Sequence, residues 1–163
     1  MSAVISSCLR FRYRLDRKIA ESGKVIAFFG VNPSTADADK DDNTINRMKG
    51  FTLSHQGSRF IVGNVFSYRS PHVADLSLIV DCFGDLHFSY LTEIISEADL
   101  LVPCWGSRKK LPNKLHPHLD NTMKLLIDSK KPVYSFGITK TGDPKHPLYL
   151  SSSSILIPWE STL

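Results

Sequence analysis

Four short apolar segments, each about as long as one β-strand, are separated by longer segments of mixed polarity. They occupy residues 24–29, 59–66, 99–104 and 132–136. Apolar runs of this length are typical of strands that other elements cover on both faces of a sheet. Helix-length segments between such strands indicate β-α-β crossovers, which place neighbouring strands parallel. The sequence therefore predicts an α/β fold with a central, mostly parallel, four-stranded sheet between layers of helices.

Three of the intervening segments have the apolar periodicity of amphipathic helices. They are residues 44–53, 88–98 and 118–129. Asp42 or Asn43 can cap the first, because a short polar side chain there accepts a hydrogen bond from the free N–H groups of the first turn. Residues 67–87 are predicted to form a loop, and residues 154–157 are a candidate fifth strand.

Residues 8–15 alternate apolar side chains with Arg10, Arg12 and Arg14. A period of two with one polar face predicts a half-buried strand at the edge of the sheet. Together with Arg17 and Lys18 these arginines form a basic cluster, and a second cluster consists of Arg108, Lys109, Lys110 and Lys114. In a chain with a net charge of +4, such clusters fit contacts to nucleic-acid phosphates, and equally two solvated faces.

The 163 residues suffice for one domain with an apolar core, and the hydrophobic fraction of 42% and the charged fraction of 22% fit a soluble globular chain. No apolar run approaches the ~20 residues of a membrane-spanning helix, and the arginines near the N-terminus do not fit a signal peptide. Three widely spaced cysteines predict neither disulfides nor a thiolate zinc site. We expect one domain over residues 1–163 in a cytoplasmic protein with no membrane partner, whose oligomeric state the sequence does not fix.

Polar loops follow all four predicted core strands. They are residues 30–37, 64–69, 105–110 and 137–149. Because ligands of parallel sheets bind at the carboxyl ends of the strands, we expect these loops to meet around one site.

Motifs in these loops resemble those of a bacterial and phage family known as domain of unknown function 1643. The resemblance covers nearly the whole chain. Its most specific parts are Asn-Pro-Ser-Thr-Ala-Asp at residues 32–37 and Lys-His-Pro-Leu-Tyr at residues 145–149. The chain departs from the family pattern at residues 42–44, where Asp-Asn-Thr stands for Asp-Pro-Thr, and at residues 81–84, where the family has a longer acidic, proline-rich stretch.

The same landmarks are similar, in the same order, to those of the uracil-DNA glycosylase superfamily. That pattern has a Gly-x-(Asp/Asn)-Pro loop after the first core strand, an Asn at the end of the second, a Trp-Gly after the third and a His-Pro loop after the fourth. The matching residues here are Gly30, Asn32, Pro33, Asn64, Trp105, Gly106, His146 and Pro147. The resemblance implies a three-layer α/β/α domain of the uracil-DNA glycosylase type that binds a nucleobase.

Cleavage of an N-glycosidic bond leaves negative charge on the departing base. By the resemblance, His146 donates a hydrogen bond to that base, Asn64 reads the edge of the base with its amide, and Asn32 positions the attacking water. An amide does not accept a proton as a general base, so Asn32 fits the weaker or mismatch-directed members of the superfamily. The structural alternatives are a buried Asn64 that caps the strand end and a His146 with no part in catalysis.

Further residues complete the predicted site. Gly30 and Pro33 shape the base pocket, and Phe51 or Phe66 stacks on an extruded base, unless both rings belong to the core as aromatic residues at such spacings usually do. The predicted phosphate ligands are Ser34, Thr35, Arg69, Arg108 and Lys109, with the Arg10–Arg14 face.

The acidic run Asp37, Asp39, Asp41 and Asp42 does not fit a calcium loop. The sixth position of that loop requires glycine and holds Asp42, and the twelfth requires glutamate and holds Met48. We interpret the run as a solvated loop and helix N-terminus. We expect no metal and no cofactor.

The predicted function is nucleobase recognition by a DNA N-glycosylase that acts on a modified or mispaired base, with DNA or another nucleobase-containing ligand as the partner. One alternative is a domain that binds DNA or protein without catalysis, which Asn32 in the place of a carboxylate favours. Another is an enzyme acting on free nucleosides or nucleotides, whose ligand binding would depend less steeply on salt.

Overall fold

The computed structural model describes residues 1–160, and its main feature is a five-stranded mixed sheet ordered β1-β2-β4-β3-β5. The strands are β1 (Ser2–Ile5), β2 (Arg12–Lys18), β3 (Lys24–Gly30), β4 (Gly57–Asn64) and β5 (Leu100–Pro103). β3 is parallel to β4 and β5, whereas β2 is antiparallel to β1 and β4. The fold is therefore mixed α/β, and the prediction of a four-stranded, mostly parallel sheet is wrong.

The predicted fourth core strand does not extend this sheet. It is reduced to β6 (Tyr134–Ser135), which pairs antiparallel with β7 (Ile157–Pro158). The N–H of Leu101 donates to the carbonyl of Pro132 at 2.9 Å, but the next residue of β5 that faces this way is Pro103, which has no N–H. The ladder beside β5 therefore ends after one isolated bridge, between Leu101 and Val133.

Three helices form close to their predicted positions. They are α1 (Asn43–Ser54), α2 (His87–Glu97) and α3 (His116–Asp128). Asp42 caps α1, as expected, with Oδ1 accepting from the N–H of Ile45 at 2.9 Å. Short 3₁₀ turns lie at Val73–Leu78, Arg108–Lys110, Asn113–Leu115 and Pro147–Tyr149. Within residues 1–160, no helix is both long enough and apolar enough to cross a membrane.

Apolar side chains of β3 alternate between two cores, one on each face of the sheet. Ile26 and Phe28 pack with the buried side of α1, whereas Ala27 and Phe29 pack with residues of α2 and α3. This alternation is the period of two expected for a strand buried on both faces. Helices therefore cover both faces of the sheet.

Strand β2 differs from its prediction in two ways. A β-bulge separates the arginines that were predicted to share one face, and the strand does not lie at the edge of the sheet. Val4 and Ile5 are consecutive in β1, but their partners Arg14 and Arg12 are two residues apart, so Tyr13 is the extra residue. β2 is also an internal strand, with β1 and β4 on either side. As a result, Arg12 donates to the carbonyl of Ala36 on the α1 side, whereas Arg14 forms ion pairs with α2. Arg12 and Arg14 are both buried, and only Arg10 of the three is exposed.

The chain leaves β3 and β4 toward opposite faces. The segment after β3 leads to α1, and the segment after β4 leads to α2 by way of Val65 and Phe66, which lie in the core on the α2 side. Two adjacent parallel strands that diverge in this way leave a crevice beyond their carboxyl ends, where ligands of open α/β sheets bind. Here those ends are Gly30 and Asn64, which are partners in the ladder.

Candidate functional site

A cavity of about 350 Å³ lies at this crevice. Asn32, Asn64 and His146 all line it, although they come from a loop, the end of β4 and a second loop far apart in the sequence. The structure thus brings together the three side chains that the sequence analysis placed at one site. Gly30 and Ser34, also predicted, line the same cavity.

Asn64 is a largely buried residue whose amide has no hydrogen-bond partner among the described residues. Its exposed fraction is 8%, and neither its oxygen nor its nitrogen forms a side-chain hydrogen bond within residues 1–160. A β-carbon on Gly30 would lie 3.0 Å from Oδ1 of Asn64, so the glycine leaves the amide its space. The residue lines the cavity, so this unpaired amide is available to a ligand as both donor and acceptor.

His146 presents an uncharged ring to the cavity. Its Nδ1 accepts from the N–H of Leu148 at 3.2 Å, which places the proton of the neutral ring on Nε2. Burial lowers the pKa of His146 to about 4, with a smaller contribution from the charge of Lys110 and an opposing one from Asp42. At neutral pH the ring is therefore a neutral donor through Nε2.

The loop of His146 is held against the loop that follows β5. The N–H of Gly106 donates to the carbonyl of Pro144 at 2.8 Å, and Gly106 has a positive φ of 77°. A β-carbon there would lie 3.3 Å from Cβ of His146, so the two loops are in close contact. Trp105, which precedes this glycine, is buried and lines the cavity.

Asp143 provides a second anchor between the same loops, and it engages Arg108. The buried carboxylate accepts from the backbone N–H and from Nε of Arg108, both at 2.9 Å, and from Oγ1 of Thr141 at 2.6 Å. Arg108 also pairs with Asp120 at 2.8 Å. The predicted phosphate ligand Arg108 is thus a structural link between loops and does not line the cavity.

The amide nitrogen of Asn32 holds its loop in place, and among the described residues the amide oxygen is left free. Nδ2 lies 3.0 to 3.2 Å from the carbonyl oxygens of Pro33, Tyr68 and Ser70, while Oδ1 has no hydrogen-bond donor within residues 1–160. The free oxygen accepts hydrogen bonds only, which is compatible with orienting a water and not with general-base catalysis.

Arg12 was predicted as a phosphate contact on a face shared with Arg10 and Arg14, but of these three arginines Arg12 alone lines the cavity. It lines the cavity at an exposed fraction of 3%, and no carboxylate lies within 4.0 Å of its guanidinium in the described residues. Nη1 donates to the carbonyl of Ala36 at 2.8 Å, whereas Nε is buried without a partner. Burial lowers the pKa of Arg12 to about 10, with Asp42 acting in the opposite direction, so the side chain stays cationic at neutral pH.

Asp42 and Lys110 supply the other charges of the cavity wall. Asp42 is the one carboxylate lining it among the described residues, whereas the sequence analysis interpreted it as a helix cap within a solvated acidic run. Lys110 is exposed, with Nζ 4.7 Å from the ring centroid of Tyr149, which also lines the cavity. Two cations and one anion therefore face any ligand bound here.

Several predicted site residues lie elsewhere. Phe51 and Phe66 are fully packed in the cores on the two faces of the sheet, because they follow the apolar periodicity of their own elements. Neither ring is available to stack on a ligand in this cavity. Four further predicted residues do not line this cavity. They are Pro33, Thr35, Arg69 and Lys109.

The acidic run forms ion pairs and loop contacts of its own. Asp41 pairs with Lys49 and, at 2.7 Å, with the buried Arg17, and Asp37 accepts from the backbone N–H groups of Asp39 and Lys40. Within residues 1–160, no three His, Cys, Asp or Glu side chains are grouped as metal ligands would be.

Comparison with family models identifies a match over most of the chain. A family model described as a protein of unknown function (DUF1643) matches residues 12–148. No curated protein and no solved structure matches the chain.

Proposed function

The chain belongs to the DUF1643 family, and on the evidence of its cavity we propose that it binds a nucleobase-containing ligand and hydrolyses the N-glycosidic bond of that ligand. The observation that carries this proposal is the shared cavity of Asn64 and His146. One offers an amide without an internal partner and the other an uncharged N–H donor. We further propose that the domain is of the three-layer uracil-DNA glycosylase type.

Base recognition follows from the polarity and the size of the cavity. A primary amide matches the alternating donors and acceptors along the edge of a pyrimidine. The volume of about 350 Å³ is at the lower end of the range for small-molecule sites, which suits one base with its sugar. Trp105 and Tyr149 supply aromatic wall in the place of the core residues Phe51 and Phe66.

The proposed reaction breaks the bond between C1′ of the sugar and the base nitrogen, and the bonding electrons leave with the base. The oxygen of a water, oriented by Oδ1 of Asn32, forms the new bond to C1′. The Asp42 carboxylate takes the proton of that water. Nε2–H of His146 donates to the oxygen on which the departing base accumulates charge, and a neutral donor does this without losing its proton.

The test is base release. The purified chain is incubated with a panel of nucleosides, nucleotides and oligonucleotides that carry modified or mispaired bases, and the free base is quantified by chromatography. His146→Ala should lower the rate of release by about a hundredfold or more, the cost of one missing oxyanion donor, and should leave the fold intact by circular dichroism. His72→Ala, an exposed histidine outside the cavity, is the matched control. Full activity of His146→Ala, or no release from any member of the panel, overturns the reaction.

Binding without cleavage is the second candidate, and the amide at position 32 favours it, since its nitrogen is committed to three carbonyl oxygens. This candidate predicts that nucleosides raise the melting temperature, that Asn64→Ala abolishes the effect, and that no base is released on long incubation.

A further inference from the structure

We propose that the cavity contains an anion subsite built on Arg12, so that its preferred ligand is a free nucleoside monophosphate. The nucleoside part of this inference rests on the proposed function. The anion subsite has its own evidence in the described residues.

Arg12 is a buried cation with unused donors. Its Nε has no hydrogen-bond partner, and Nη2 forms no hydrogen bond within residues 1–160. Buried cations are normally paired with an anion, because desolvation of an unpaired charge is costly. No carboxylate of the described chain lies within 4.0 Å to provide that pairing. A guanidinium with two free N–H positions matches the planar, bidentate geometry of a phosphate or carboxylate.

The bulge at Tyr13 is the reason that Arg12 reaches the cavity. In a regular strand Arg12 would share a face with Arg14, whose guanidinium is paired with Glu93 and Glu97 of α2. The extra residue turns Arg12 to the α1 side instead. Bulges that redirect one side chain are common beside active sites.

The N-terminus of α1 reinforces the same subsite. Asn43 and Thr44, at the start of this helix of 12 residues, line the cavity beside Arg12. The first backbone N–H groups of a helix have no acceptor inside it, and the helix dipole is positive at this end. Asp42 opposes an anion, but its Oδ1 is committed to the N–H of Ile45, and Arg12 and Lys110 outnumber it in the wall.

The burial of Arg12 favours a terminal phosphate over the backbone of DNA. A phosphodiester within a strand continues on both sides, and both continuations would have to pass through a cavity of about 350 Å³ to reach a side chain that is 3% exposed. The basic residue predicted to hold such a backbone, Arg108, is engaged by Asp120 and Asp143. A phosphate monoester has only one continuation, its own nucleoside, so it can reach Arg12 without a second chain passing through the cavity.

The test measures binding of inorganic phosphate, nucleosides, nucleoside 5′-monophosphates and a single-stranded oligonucleotide by calorimetry and thermal shift. The wild type should bind phosphate and should bind a monophosphate at least tenfold tighter than its nucleoside. Arg12→Met should remove that preference and keep nucleoside binding, whereas Arg12→Lys, which keeps the charge, should retain part of it. Arg10→Met is the matched control and should change nothing, because Arg10, although predicted from the sequence as a phosphate contact, is exposed and does not line the cavity.

Equal affinity of the wild type for nucleoside and monophosphate, or an undiminished preference in Arg12→Met, overturns the subsite. Tighter binding of the oligonucleotide than of the monophosphate overturns the free nucleotide as ligand and assigns the phosphate to a DNA backbone. If phosphate binds through Arg12 but no nucleoside binds, the subsite stands and the proposed function fails. If nucleosides bind through Asn64 but phosphate does not bind, the anion subsite fails and nucleobase binding stands.

Discussion

Gly30 and Asn64 face each other at the ends of two parallel strands, so closely that a β-carbon on Gly30 would lie 3.0 Å from Oδ1 of Asn64. The Asn64 amide can therefore occupy its position because Gly30 has no side chain. The two residues also mark the point where the chain diverges to opposite faces of the sheet. The proposed base recognition and the crevice that would allow it thus depend on the same pair of residues.

Gly30→Ala should weaken nucleoside binding about tenfold, because the new methyl group displaces the Asn64 amide by a few tenths of an ångström. The stability cost should be only about 1 kcal/mol, that of mild overpacking. Isothermal calorimetry and urea denaturation measure the two effects. Gly50→Ala is the control, since nothing lies within 4 Å of a β-carbon there, and this substitution on an exposed helix face should stabilise slightly. Unchanged affinity in Gly30→Ala would show that Asn64 does not depend on this contact.

Gly106→Ala should disturb His146 through the facing loop. Gly106 and Gly142 have the same positive φ of 77°, but only a β-carbon on Gly106 would meet His146, at 3.3 Å. Both substitutions should cost about 1 to 3 kcal/mol of stability from backbone strain. Only Gly106→Ala should slow base release, so the difference between the two variants isolates the contact with His146. Equal rates in both would refute this dependence.

The helices and the meeting of loops were predictable, because both follow from local patterns. Apolar periodicity placed α1, α2 and α3 to within about two residues, and the direction of buried strands placed Asn32 and Asn64 at one edge. Strand pairing was not predictable in the same way. The missing N–H of Pro103 ends the ladder toward β6, and the effect appears only once the partner of each strand is known.

The separation of Arg12 from the other arginines of its predicted face, and its place in the cavity, were not predictable for a related reason. The alternation of Arg12 with Phe11 and Tyr13 is regular in sequence, and one residue inserted into the pairing reverses the face to which Arg12 belongs. Nothing in the sequence of β2 marks the bulge, because it depends on which residues of β1 pair with Arg12 and Arg14. Asp42 was recognised as a helix cap, and its place in the cavity wall depends equally on tertiary structure.

Stability should fall as the pH is lowered from about 6.5 to about 4. Burial lowers the pKa of His146 and of His87 from 6.5 to about 4. In this window the unfolded chain binds protons that the folded chain does not, so the free energy of unfolding decreases as the pH falls. Below about pH 4 both states are protonated, and this contribution no longer changes. Urea denaturation at several pH values checks the slope, which His146→Gln should reduce. An unchanged slope in that variant would contradict the lowered pKa of His146.

Arg17→Met should lower stability strongly and Arg12→Met should not, although both remove a buried arginine from β2. Arg17 is fully buried and satisfied: its guanidinium pairs with Asp41 at 2.7 Å and donates to the carbonyl oxygens of Ser2, Asp16 and Asp37. Its loss leaves those acceptors buried and should cost about 3 kcal/mol or more. Arg12 has no such anion among the described residues. Its replacement removes the cost of burying an unpaired charge, and this gain offsets the loss of its hydrogen bond to Ala36. Arg12→Met should therefore unfold at no lower urea concentration than the wild type. Lys18→Met, at an exposed position of the same strand, serves as the reference. A destabilisation of Arg12→Met as large as that of Arg17→Met would mean that Arg12 is a structural residue, and the anion subsite would then lose the unpaired charge on which it is built.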